Sequence, residues 1–238
     1  AVVAIDTIDL SKPTASHFFT SGGRPAGPWG RGGVVRGPGN SVIFMTSDGI
    51  FDPGSGYWTD SVLKLSPKAA RLQDSFTPDN HGYINSKDLA GSASPVVFPF
   101  AGRTLIAAIQ KEGVLYLLDA NNMGGRIAGK HEKYLFKSAQ LGNDAALGTD
   151  PGQGVWGATS TYLTPSGKRF IYMPMHGPNS TKAPAFPVNA GAPTTGSIMA
   201  FEVVERNGAI VAEPRWQSEN MIMPDPPTIA NGVLFATS

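Results

Sequence analysis

The 238-residue sequence has no cysteine. That excludes a disulfide framework, a thiolate zinc site and a cysteine nucleophile, and leaves the compartment open. Charge is sparse as well: Asp, Glu, Lys and Arg make up 16% of the chain, 19 basic against 18 acidic, for a formal charge of +1. No basic block or stripe occurs, so the electrostatic footprint of a nucleic-acid binder is missing. The longest apolar run falls far short of the about 18 residues a membrane-spanning helix needs. Ala1 rather than methionine opens the chain and no signal-peptide pattern follows, as expected of a processed or excised chain. What is plentiful is glycine, 29 residues, and proline, 20. Such punctuation interrupts long helices and suits short strands joined by turns, while a hydrophobic share of 41% is enough for a core.

Four short apolar runs share one pattern. Val42–Ser47, Leu105–Gln110, Phe170–Met175 and Val233–Ser238 begin 63, 65 and 63 residues apart. A second set of runs alternates with the first: Ser61–Leu65, Val114–Asp119, Ser197–Glu202 and Ala1–Asp6. These runs are rich in β-branched and aromatic residues and bounded by Gly, Asn, Ser or Pro, which is a strand signature. The two sets pair as hairpins, most clearly from Leu105 to Asp119 around Lys111-Glu112-Gly113, where glycine can take a positive φ. A further strand precedes each hairpin (Gly33–Arg36, Ser94–Pro99, Thr159–Leu163, Pro227–Ala230). A fourth, often aromatic, follows (His17–Thr20, Asp74–Thr77, Lys133–Phe136, Pro214–Gln217). Four sets of four predict an all-β chain, a β-propeller of four-stranded antiparallel blades.

The order of strands predicts about four blade equivalents: a half-blade at 1–21, blades at 22–83, 84–144 and 145–223, and a half-blade at 224–238. Completing one blade from both chain ends protects bare sheet edges; the alternative is a hairpin cut from a larger propeller. Trp29-Gly30 and Trp156-Gly157 precede first strands 127 residues, or two blades, apart, whereas the entries at Gly91–Pro95 and Pro224–Pro227 use Ser and Pro.

Ser61–Pro67, Asp74–Pro78, Gly91–Pro99, Gly113–Asp119, Gly154–Gly157 and Pro227–Phe235 together resemble the pyrroloquinoline-quinone-like repeat propellers of the quinoprotein alcohol dehydrogenase-like superfamily. The resemblance covers essentially the whole chain and speaks to fold more than to activity, since many members bind no quinone. It implies rings of seven or eight blades, a bacterial source and a periplasmic or secreted location. In the quinone enzymes it also implies a tryptophan floor under the cofactor, calcium held by Glu, Asn and Asp, and often a vicinal disulfide, which a chain without cysteine cannot form. Four blades shaped for such a ring sweep half a circle, so a two-fold homodimer that completes the split blade is expected.

Trp156 and Trp29 are the candidate stacking faces for a planar cofactor; packing between blades is the ordinary role of such side chains. Two oxygen-rich stretches, Asp48–Gly56 and Gly142–Pro151, are the candidate hard-cation loops, with Asn143, Asp144 and Asp150 as ligands. Neither has EF-hand spacing, and Asx beside Gly and Pro first of all forms turns. The histidines His17, His81, His131 and His176 show no metal-binding spacing. His176, ahead of the long loop 177–196, is the one catalytic candidate, read as a lone exposed side chain without a visible partner. Arg24, Arg31 and Arg36 form a local positive patch in the Trp29 entry. No nucleophile elbow or phosphate loop is present.

Three readings follow. A non-catalytic propeller serving as a binding or scaffold module needs no cofactor, with self-association and a protein or small-molecule ligand on the loop face. A quinone-dependent oxidoreductase, or part of one, would use PQQ with calcium. A hydrolase or lyase would depend on His176.

Overall fold

The computed structural model describes residues 1–22, 26–125 and 133–238. Arg24 and His131, singled out above, lie outside them. The described chain is mostly β, in several sheets of which none closes on itself. Strands β1 (Val2–Ile5) and β2 (Ala15–Phe18) form an antiparallel hairpin. The first four-stranded sheet follows as β3 (Val35–Arg36), β4 (Val42–Met45), β5 (Val62–Leu65) and β6 (Leu72–Phe76), ordered as in the chain. A short helix α1 (His81–Ser86) and strand β7 (Ser92–Ser94) lead to the second sheet of β8 (Val96–Phe100), β9 (Arg103–Ile109), β10 (Leu115–Asp119) and β11 (Phe136–Lys137). The third sheet joins β12 (Gly154–Ala158), β13 (Ser160–Leu163), β14 (Arg169–His176), β15 (Val188–Asn189), β16 (Gly196–Arg206) and β17 (Ala209–Gln217), and takes in β7. A last hairpin pairs β18 (Thr228–Ala230) with β19 (Val233–Phe235).

Every one of the sixteen expected strands has a counterpart, with informative shifts. The run Ser94–Pro99 splits into β7 and β8 at Pro95, because proline has no N–H to give a ladder. The freed piece, β7, pairs in parallel with β12 instead. Strands β16 and β17 outrun their expected lengths because Asn207 and Gly208, both at positive φ (50° and 78°), close them into one hairpin. Helix α1 was not expected; it seats Ile84 in a small buried cluster with Leu89 and Ala90.

Period-2 alternation explains how the sheets stack. Phe44, Leu63 and Leu65 face the N-terminal hairpin, where Val2 and Trp58 complete a buried cluster. On the other face Ile43 and Met45 meet Ile106, Ala108, Tyr116 and Leu118 of the second sheet. The alternate residues Leu105, Ala107, Ile109, Leu115 and Leu117 then meet Ile171, Met173, Met175, Met199 and Phe201 of the third. Each four-stranded sheet is thus buried on both faces, and each fully buried Leu, Ile or Phe contributes about 1.5–3 kcal/mol.

Candidate functional site

The segments that lead into the first strands come together on one face. The pairings Val35↔Ile43, Val97↔Ile106, Thr161↔Ile171 and Ile229↔Leu234 define equivalent positions in the repeat. Four residues before each lie Arg31, Ala93, Gly157 and Asp225. Gly157 pairs with Ala93 across the parallel β7–β12 ladder. Arg31 Nη1 donates to Asp225 Oδ1 at 3.1 Å, and Pro226 packs against Gly157 so closely that a Cβ there would fall 2.5 Å from its ring. The Ser160 hydroxyl donates to the Pro227 carbonyl. Each of the four entry segments therefore touches another.

The turns that leave the second strands supply equivalent positions as well. Asp48, Lys111 and His176 each lie six residues beyond the start of their runs at 42, 105 and 170. Trp156 stands between the last two. Strand β12 pairs Gly154 with His176, and two residues further on the same side of the pleat the indole stacks on the imidazole, centroids 6.5 Å apart at 18°. Lys111 Nζ sits 5.1 Å from the indole centroid, a cation–π contact, and Trp156 Nε1 donates to the Gln153 carbonyl at 3.2 Å.

Lys111 is buried, and its ammonium donates to Asp88 Oδ1 at 2.6 Å. Asp88 in turn hydrogen-bonds Asp48. Burial, the bond to Asp88 and its charge push the Asp48 carboxyl up to about 6, against the pull of Lys111. Burial also pushes Asp88 up, but its bonds to Lys111 and Asp48 outweigh this and hold it below the usual range. The adjacent Asp60 is fully buried and pushed up to about 7 by that burial, with Thr59 opposing and the charge of Asp48 assisting. His176 is buried rather than exposed as its sequence context suggested. Its Nε2 lies 3.1 Å from the Pro224 carbonyl, and burial moves it below the ordinary imidazole value, so the neutral ring is favoured.

The Lys111–Asp88 pair is lopsided, with side chains 5% and 58% exposed. Losing the buried ammonium frees a carboxylate that water can solvate, whereas losing the carboxylate strands a buried cation. Asp88→Asn, which tolerates the φ of 53° at this position, is expected to cost about 3 kcal/mol, and Lys111→Met under about 1 kcal/mol. Urea unfolding of the two variants checks the order.

The expected cation ligands are placed otherwise. Asn143 is buried and staples its own loop: Nδ2 donates to the carbonyls of Lys111 and Asp150 at 3.0 Å, and Oδ1 accepts from Asp150 N at 2.9 Å. Asp144 Oδ2 accepts from Ser180 Oγ, Thr181 N and Thr181 Oγ1, and Oδ1 from Ala146 N. Asp150 Oδ1 accepts from Gly152 N at 2.7 Å. Among the described residues no group of three or more His, Asp or Glu side chains could hold a metal ion. Trp29 is exposed, in its entry segment. A quinone resting on Trp156 with calcium on these three ligands does not fit this arrangement, because the indole already carries Lys111 and His176, Asp144 is engaged by Ala146, Ser180 and Thr181, and Asn143 Oδ1 by Asp150 N. Sequence reasoning missed Lys111 as the neighbour of Trp156, and the carboxyl of Asp88 that holds its ammonium, with Asp48 and Asp60 behind it.

No protein-family model matches the chain, and no curated protein matches it. Among solved structures it is loosely similar to the quinohemoprotein alcohol dehydrogenase ADHIIG of Pseudomonas putida HK5, with a TM-score of 0.38 and 12% identity. That match covers 85% of this chain and 43% of the dehydrogenase, so this chain spans less than half of the neighbour's length.

Proposed function

We propose that this chain is a propeller-like stack of blades, with units at 22–83, 84–144 and 145–223 between two half-blades, and that it works as a non-catalytic binding or scaffold module. The observation that supports this most is the occupied indole of Trp156: a flat cofactor has to displace a buried lysine held by Asp88 and a buried imidazole. The ligand face is the one formed by the four entry segments. A titration with PQQ and calcium, followed by tryptophan fluorescence, tests the reading. Unchanged emission is expected. Saturable quenching that disappears in Trp156→Phe would instead favour the second reading, a PQQ-dependent oxidoreductase or part of one, which draws on Asp88 and Asp48, the carboxyls next to Lys111.

Self-association belongs to the same proposal. The hairpins β1–β2 and β18–β19 are each two-stranded, with Val3, Ile5, Val233 and Phe235 exposed on them. Pairing of one hairpin with the other in a second copy completes a four-stranded unit and removes both edges. A native mass equal to one chain overturns this part. A periplasmic or secreted location is part of the same proposal and rests on the family resemblance alone.

A further inference from the structure

Arg169, the first residue of β14, carries a buried charge with no counter-ion among the described residues. Arg169, Ile171, Met173 and Met175 alternate onto one side of the strand, the side packed against the second sheet. Arg169 is accordingly 8% exposed, and its Cζ stands 5.3 Å from the centroid of the Phe98 ring of β8. That ring attracts a cation but brings no oxygen to its N–H groups. Nε has no hydrogen-bond partner among the described residues. The acid beside it on the ladder faces away: β16 sets Val203 opposite Arg169 and Glu202 opposite Phe170, so the Glu202 carboxylate lies on the other side of the sheet, where Arg215 Nε donates to it at 2.7 Å. Burial alone acts on the guanidinium, disfavouring its charged form, and no acid opposes this. A lysine or histidine so placed could shed its proton, but arginine stays charged. Buried polar atoms are nearly always paired, and an unpaired buried charge is costlier still.

We propose that Arg169 is the binding site of a small monocarboxylate, held between the second and third sheets at the end of β14 remote from Trp156. The exposed turn 165–168 runs directly into Arg169 and gives the anion its approach. With the Phe98 ring against the guanidinium, the Nε edge is free to make two parallel N–H···O bonds to a planar carboxylate. A single negative charge balances the arginine, whereas the second charge of a phosphate would be left over among the apolar side chains of Phe98, Ile171 and Val203. Those side chains suit an apolar stem on the carboxylate instead. His176, at the other end of β14, is seven residues or about 23 Å away, so the site is separate from the face of the four entry segments.

The test titrates the whole chain with sodium butyrate at constant ionic strength and follows Tm, with sodium chloride and sodium phosphate as comparison salts. The expected result is a saturable rise that reaches about 3–6 °C at ten times the half-saturating concentration, with no such rise in chloride or phosphate. Arg169→Met abolishes the butyrate response. Arg169→Lys keeps the charge but loses the two-pronged edge, and raises the half-saturating concentration about tenfold. No butyrate response in the wild-type protein, or one that survives Arg169→Met, overturns the site; an equal rise in chloride or phosphate overturns its assignment to carboxylates. If Arg169→Met does not fold, Arg169→Lys decides: the weakened response supports the site, and unchanged half-saturation overturns it.

Discussion

Replacing Gly154 with alanine is expected to cost the fold on the order of 4 kcal/mol or more, which lowers Tm by roughly 8–16 °C in a chain of this size. Two effects combine. Gly154 lies at φ 87°, where an L-residue is strained by about 1–2 kcal/mol. Its missing Cβ would also stand 2.0 Å from the Lys111 carbonyl oxygen and 2.5 Å from the carbonyl carbon, backbone atoms that no rotamer change can move aside. The matched control is Gly208→Ala, at φ 78° with nothing within 4 Å of the added carbon, which isolates the conformational part. Thermal unfolding of both variants should give a Tm loss at Gly154 several times that at Gly208. Equal losses would mean that β12 does not press on the Lys111 turn, and the arrangement around Trp156 would have to be redrawn.

The second large effect is expected at Asp144. Its carboxylate gathers hydrogen bonds from Thr181, Ala146 and Ser180, which hold it well below the ordinary aspartate range. Through them it pins the start of the loop 177–196 to the segment that carries Asn143. Asp144→Ala leaves Thr181 N and Ala146 N without their acceptor and is expected to cost on the order of 3 kcal/mol, or roughly 6–12 °C in Tm. The pH dependence has a fixed sign. A depressed folded-state value contributes stability that is fully present above the unfolded value and is lost as pH falls through the folded one. Wild-type protein should therefore lose its advantage over Asp144→Ala as acid is added below about pH 4. A gap between the two that stays constant down to pH 2–3 would show that the shift is absent.

The strand plan was legible because the repeat is written in apolar runs whose starts recur every 63 to 65 residues, and burial on both faces of each sheet demands just such runs. What escaped was local chemistry acting within it. Pro95 cut one strand in two, Asn207-Gly208 joined two strands into one long hairpin, and helix α1, only six residues long, formed behind Asn80 with no side-chain cap bond. Of the site, Trp156 and His176 were visible as residue types, but not the stacking that joins them or the burial of the imidazole. Lys111 looked like an ordinary hairpin turn residue; only tertiary packing sets it against Trp156 and Asp88. One signal was available. Asp48, Lys111 and His176 occupy the same position of the repeat, as do Arg31 and Asp225, and a repeat that stacks around one centre brings equivalent positions together. The oxygen-rich segment 142–151 illustrates the converse: Asn, Asp and Gly composition gave the right ligands for a cation, and the chain spends them on its own hydrogen bonds, within the segment and to the Lys111 turn and the 177–196 loop.

The account turns on the claim that the face around Trp156 is a closed, cofactor-free binding surface of a self-associating blade stack. The most direct measurement is the native mass and the visible absorbance of one sample, taken together after incubation with PQQ and calcium and removal of the excess. The account predicts twice the chain mass and no quinone absorbance travelling with the protein. A quinone band that co-elutes with it, accompanied by dye-coupled alcohol oxidation, would contradict the claim and make Trp156 a cofactor floor after all.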